Sequence, residues 1–172
     1  TAKPDGYTLL LAYHQHTLNA ALNPKLPYHP VNSFTPITQL TSGAQLLVVH
    51  PSVPPKTLQE FIAWTKAHPG PLNFGSAGIG SGGHLAGELY KQMSGVKAEH
   101  VPYKGSSGAV NDVIGGQVPM MIMPLSIALP YLASGRLRVL AVSGDKRSPL
   151  APEVPTFREG GIENYDIDLW YG

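Results

Sequence analysis

Apolar and polar positions along this chain fall into short blocks, each closed by glycine or proline. Residues 8–12, reading TLLLA, predict a strand, and 17–22 a short helix. A proline-rich irregular stretch over 25–36 gives way to an apolar, extended run over 37–49. Thr57 opens a helix with Glu60 three residues later, the reciprocal capping pattern, and its core side carries Leu58, Phe61, Ile62 and Trp64. His68-Pro69-Gly70-Pro71 ends that helix. The pattern then predicts a strand over 72–74 and a helix over 84–94 with Leu85, Leu89 and Met93 on one stripe and Gly95 as its stop. Strands over 96–101, 117–123 and 137–142 alternate with helices over 107–114 and 126–134, and 167–172 ends the chain as a strand.

Helices separating apolar strands predict an α/β domain with a mostly parallel sheet flanked by helices. In such sheets ligands bind outside the carboxyl ends of the strands, where the strand-to-helix loops gather. Three loops qualify: 76–83, 103–107 and 124–126.

Composition narrows the chemistry. With 172 residues the chain makes one domain with its own core, or one domain plus a piece of another. A formal charge of +1 without a basic run argues against nucleic acid or an anionic membrane as partner. Cysteine is absent, which excludes disulfides, thiolate catalysis and zinc–thiolate sites. No apolar run reaches the roughly 18 residues of a membrane span. No signal peptide is visible, the chain starts at Thr1, and both ends read as strands, as expected of a piece of a longer fold.

The segment FGSAGIGSGGHLAGEL, from Phe74 to Leu89, carries the sharpest signal. It runs from a strand end through a glycine loop into a helix. Unpaired N–H groups and the partial positive charge of a helix start attract anions, and glycines allow close approach. No Lys or Arg lies between Leu72 and Tyr90, so neutral dipoles do the holding, which favours a small carboxylate over a polyphosphate. The expected contacts are Ser76, Ala77, Gly78, Gly80, Ser81, Gly82 and Gly83, with His84 at the helix start either a contact or a capping residue. The alternative is a dinucleotide-binding oxidoreductase domain, because Gly78, Gly80 and Gly83 satisfy G-x-G-x-x-G. Against it, the next strand does not end in an acidic residue, since Glu99 lies inside it. Neither a G-K-[ST] phosphate loop nor a G-x-S-x-G nucleophile elbow is present.

Nine segments in order from end to end are similar to the solute-binding receptors of tripartite tricarboxylate transporters, the Bug receptors. They are Pro4-Asp5-Gly6-Tyr7-Thr8-Leu9-Leu10, Leu26-Pro27-Tyr28, Val49-His50-Pro51-Ser52-Val53-Pro54, Leu72-Asn73-Phe74-Gly75-Ser76, His84-Leu85-Ala86-Gly87-Glu88, Val101-Pro102-Tyr103-Lys104-Gly105, Gly115-Gly116-Gln117-Val118, Gly135-Arg136-Leu137-Arg138 and Glu153-Val154-Pro155-Thr156. The resemblance implies a periplasmic, two-lobed protein of the Venus-flytrap type. It implies no catalysis and no cofactor, with a di-, tri- or aromatic carboxylic acid as ligand and membrane transporter subunits as partners. The chain covers the middle of the family pattern, with residues 1–51 as a partial first lobe and crossover, 52–166 as a complete second lobe and 167–172 as a returning inter-lobe strand. A truncated lobe of this kind is expected to bind weakly and to be open to homodimerisation or strand exchange.

The same resemblance adds further candidates. Tyr103 is expected to donate a hydrogen bond at the pocket wall. His14, Gln15, His16 and Thr17 stand where relatives carry a ligand loop, and Trp170 lies in the returning strand. His14 and His16 as a His-x-His pair lack a third ligand at sensible spacing, so no metal is expected. Pro124 stands where an aspartate is common in relatives, and its apolar surroundings offer nothing to pair with an ammonium. A plain organic acid therefore fits better than an amino acid.

Overall fold

A computed structural model describes residues 2–172. In chain order the elements are α1 (Gln15–Leu22), β1 (Thr41–Gly43), β2 (Gln45–Val49), α2 (Leu58–Ala67), β3 (Leu72–Ser76), α3 (Gly82–Ser94), β4 (Ala98–Pro102), α4 (Ser106–Ile114), β5 (Met120–Pro124), α5 (Leu125–Ala133), β6 (Arg138–Val142) and β7 (Leu169–Tyr171). They form two compact units. One takes the chain up to Ser42 with Trp170–Gly172, the other Gly43–Leu169.

The larger unit is built on a five-stranded sheet in the order β4-β3-β5-β2-β6. β3 runs parallel to both β4 and β5, while β2 is antiparallel to β5 and β6. Four strands therefore point one way and β2 alone runs back. This is the predicted α/β class with a mostly parallel sheet, and β2 is the exception. Along β2 alternate residues serve two cores. Leu47 and Val49 pack with Phe61, Phe74, Ala86, Tyr90 and Phe157, and Leu46 and Val48 pack with Val110, Val113, Met121 and Leu125. Burial on both faces is why these strands read as continuous apolar runs.

Local signals explain the helix ends. Thr57 Oγ1 accepts the Glu60 N–H at 3.2 Å while a Glu60 carboxylate oxygen accepts the Thr57 N–H at 3.3 Å, so the predicted reciprocal cap on α2 is present. Gly95 ends α3 in the left-handed region at φ 68°, its N–H donating to Lys91 O. A guanidinium ties the chain between β2 and α2 to the sheet. Arg138 donates to the carbonyls of Val53 (2.7 Å), Pro55 (3.0 Å) and Pro51 (3.2 Å), which lie outside any strand or helix.

Two expectations are corrected. Residues 8–12 form no strand, and Leu9, Leu10 and Leu11 are 73%, 57% and 65% exposed, so apolar composition alone did not make an element there. The stripe of α3 is also different. Ala86, Gly87, Tyr90 and Ser94 are its buried face, Leu85 and Leu89 are half-buried, and Met93 is exposed. The physical reason is proximity: a Cβ on Gly87 would collide with the Phe74 ring, and a Cβ on Gly83 would lie 2.5 Å from Ile122 O. The helix rests on the sheet at backbone range, where bulky residues do not fit. α3 also begins two residues earlier than predicted, at Gly82.

In the smaller unit, Ala12 and Gly172 exchange backbone hydrogen bonds (2.6 and 3.0 Å) and Tyr13 bridges Tyr171, the two rings stacking at 6.0 Å. His16 stacks on Tyr28 and meets the Phe34 edge, a small aromatic cluster.

Replacing Gly87 with alanine is expected to cost about 2 kcal/mol in urea unfolding, because overpacking against Phe74 outweighs the roughly 1 kcal/mol by which alanine normally favours a helix over glycine. Replacing Arg138 with leucine is expected to lower stability by a similar ~2 kcal/mol through three carbonyls losing a charged donor, measured the same way.

Candidate functional site

The parallel arrangement brings the carboxyl ends of β3, β4 and β5 to one edge, and α3, α4 and α5 begin directly after them. Neighbouring strands lie about 4.8 Å apart, so these three adjacent strand ends fall within about 10 Å of one another. The central one, α3, has 13 residues and follows the glycine loop.

The loop is held by its own side chains. Ser76, wholly buried at the end of β3, accepts the Gly78 N–H at 3.1 Å and lies 3.1 Å from Gly78 O and 2.6 Å from His100 Nε2. One proton assignment satisfies all three contacts. His100 Nε2–H and the Gly78 N–H donate to the hydroxyl, and the hydroxyl donates to Gly78 O. Burial holds the His100 imidazole below its usual range, with His84 pushing the same way, which suits that neutral form. His100 was not foreseen as part of this loop. Its role depends on the register Phe74↔His100 between β3 and β4, which no local motif reveals.

Positive φ appears where the chain turns. Gly78 (φ 133°) brings the loop against Tyr103, its absent Cβ position 3.0 Å from Tyr103 O, and Gly80 sits at φ 77°. The Gly105 N–H donates to Ala77 O, and the Tyr103 N–H to Ser76 O, so the first and second loops form one rigid piece.

At the helix start, Ser81 is the N-cap, its hydroxyl accepting the His84 N–H at 3.3 Å. The Leu85 N–H takes Ser81 O. That leaves Gly82 and Gly83, the first two helical residues, as donors without an acceptor among the described residues. His84 Nδ1 accepts the Gly80 N–H at 3.1 Å, and its ring stacks on His100 with centroids 3.9 Å apart. His84 thus braces the loop with one nitrogen and leaves Nε2 for other contacts.

Tyr103 is placed differently from a free donor. Its hydroxyl donates to Asp112 of α4, and burial followed by that carboxylate pushes it up to about 12. What Tyr103 presents is a ring packed beside Gly75 and Gly108. Pro124 is half-buried where β5 meets α5 and brings no charge. An open groove lined by Pro71, Leu85, Glu88, Leu89, Gln92 and Ala98 runs along α3 towards the opposite edge of the sheet, away from these groups.

The remaining candidates belong to the smaller unit. His16 Nε2 donates to Pro30 O at 2.8 Å, Thr17 donates to His14 O, and Gln15 accepts from the Tyr13 hydroxyl. These three support local structure. His14 packs edge-on to Tyr13 with both ring nitrogens buried and unpartnered, and burial lowers its pKa. Trp170 is half-buried in β7, and its carbonyl accepts the His14 N–H. Among the described residues no three His, Asp or Glu side chains come together as a metal site, and no helix is long and apolar enough to cross a membrane.

Comparison with known proteins follows the same lines. Residues 1–172 match the family described as "Tripartite tricarboxylate transporter family receptor". Protein BugT of Bordetella pertussis is 35% identical over 169 residues, 97% of this chain and 52% of BugT. Among solved structures, MatC of Rhodopseudomonas palustris with bound malate superposes with TM-score 0.87 at 34% identity, covering 99% of this chain and 58% of that one. Rpa4515 of R. palustris with adipate gives TM-score 0.89 at 34% identity, covering 99% and 57%. The chain spans about half the length of the relatives it matches.

The histidine pair predicts a pH dependence. Folded His100 and His14 resist protonation, whereas the unfolded chain takes up those protons as pH falls through about 6.5. Stability should therefore decline below that pH. Asp168, raised by burial and then by Asp166, acts with opposite sign but only in the carboxylate range. Urea unfolding from about pH 7.5 to about 5.5 should show a shallower decline for His100→Gln than for the parent chain.

Proposed function

This chain belongs to the tripartite tricarboxylate transporter receptor family, and from that premise we propose that it is a non-catalytic, extracytoplasmic solute-binding protein for a small organic carboxylate, serving a membrane transporter. The observation that carries the ligand class is the α3 start. Two free N–H groups, on Gly82 and Gly83, stand at the carboxyl edge of the sheet, in a loop without a single Lys or Arg from Leu72 to Tyr90. Ser76, Ala77, Gly78, Gly80, Ser81, Gly82 and Gly83 build the candidate site of the larger unit. Ser76 and Ser81 act by holding the loop, since both hydroxyls already bridge its backbone. His84 offers Nε2, Tyr103 a ring wall, and Pro124 keeps the floor uncharged, which favours a plain acid over an amino acid.

Within the smaller unit, taken by itself, His14 is the candidate contact, with both ring nitrogens unpartnered, and Trp170 offers an aromatic surface. Gln15, His16 and Thr17 contribute through α1, which they help to shape. The malate- and adipate-bound relatives support a carboxylate of this size.

Affinity of the 172-residue chain by itself is low in this reading. Micromolar binding needs about −8 kcal/mol. A helix start contributes at most ~2 kcal/mol and each charge-assisted hydrogen bond roughly 1.5–3 kcal/mol, and few of these are collected at one edge.

A thermal-shift screen with mono-, di- and aromatic carboxylates is expected to raise Tm slightly for one acid class at millimolar concentration and not at all for NADH. Gly82→Val, checked for an unchanged circular dichroism spectrum, should abolish that rise by covering the two N–H groups. A shift with NADH and none with any acid would reverse the choice in favour of the dinucleotide reading.

A further inference from the structure

Gln45, the first residue of β2, is wholly buried, yet neither Nε2 nor Oε1 of its carboxamide has a partner. Its backbone is fully engaged: its N–H donates to Ser143 Oγ and its carbonyl accepts the Ser143 N–H, both at 2.8 Å. The side chain is thus locked in place with its polar end unspent. Native proteins partner the large majority of buried side-chain polar atoms, so this carboxamide calls for an explanation.

Register shows where that amide stands. β2 runs against β5, and Gln45 is opposite Pro124, the last residue of β5, at the edge where α3 starts. Alternation puts Gln45 on the face of Leu47 and Val49, the face on which Ala86 of α3 packs and Phe74 of β3 points. One row inward, Leu47 pairs with Ile122, whose carbonyl closes on Gly83. The carboxamide therefore lies one row beyond the free N–H groups of Gly82 and Gly83, on their side of the sheet.

We propose that Gln45 is a ligand-binding residue of this edge and selects a 2-hydroxycarboxylate over the same acid without the hydroxyl. The inference rests on the carboxylate reading above. A carboxylate only accepts, so it satisfies Nε2 and leaves Oε1 unpaired. A hydroxyl on the adjacent carbon donates to Oε1 while the carboxylate takes Nε2–H and the Gly82 and Gly83 amides. Sites that hydrogen-bond a substrate hydroxyl discriminate strongly against the analogue lacking it, because buried polar groups are then left over.

The test uses the whole chain, 15N-labelled, titrated through the millimolar range with L-malate and with succinate, which differ by one hydroxyl. NMR shifts of the Gln45 side-chain amide and the Gly82 and Gly83 backbone amides are followed, so weak binding is measurable. Malate is expected to bind about tenfold more tightly than succinate and to move the Gln45 amide. Gln45→Met, close in volume, should bind malate only as well as succinate and should melt about 3 °C higher, having lost an unpaired buried amide. Equal binding of the two acids by the parent chain, a preference that survives in Gln45→Met, or a lower Tm for that variant each overturns the inference. Movement of Gly82 and Gly83 with Gln45 silent also overturns it while leaving the carboxylate reading intact. No movement of any of the three with either acid removes both.

Discussion

Everything at the candidate site depends on how closely α3 lies on its sheet. Gly83 faces the Ile122 carbonyl and Gly87 faces the Phe74 ring, each where a methyl group would collide. Those contacts fix the height and the roll of the helix together. They also aim its first two N–H groups at the edge where β3 and β5 end. A helix held off the sheet by leucines would carry the same dipole but present it farther from the strand ends. Packing and site are one constraint.

The second constraint is internal satisfaction of the loop. Ser76, Ser81 and His84 each take a backbone N–H within the segment, and His100 reaches in from the neighbouring strand. Much of the polar capacity of the loop's side chains is committed, and the groups left at this edge include two amides on α3, Nε2 of His84 and one carboxamide on β2. A site assembled this way is rigid before a ligand arrives, which limits the ordering cost of binding.

Element types were legible because the local chemistry was unambiguous. Thr57 with Glu60 marked α2, Gly95 marked the end of α3, and apolar blocks between glycines marked β3 to β6. The face of α3 was misread because Leu85, Leu89 and Met93 look like a core stripe, whereas contact here goes through small residues and Tyr90. Residues 8–12 were misread because three leucines suggest burial that only a partner surface could supply. Of the site, the glycine loop was visible as sequence, being contiguous. Gln45 and His100 were not, since each matters only through strand register, against Pro124 in one case and Phe74 in the other. The antiparallel course of β2, which carries Gln45 to the carboxyl edge, leaves no mark in an apolar run.

The absence of Lys and Arg from the α3 loop has a consequence for how the proposed anion site meets its surroundings. Amide dipoles act at hydrogen-bonding range, well inside the Debye length of about 8–10 Å, so dissolved ions have little to screen. Capture by dipoles forgoes long-range steering and the fast encounter it brings. In exchange, an anion held only by such dipoles, as in the proposed site, would be retained almost independently of ionic strength.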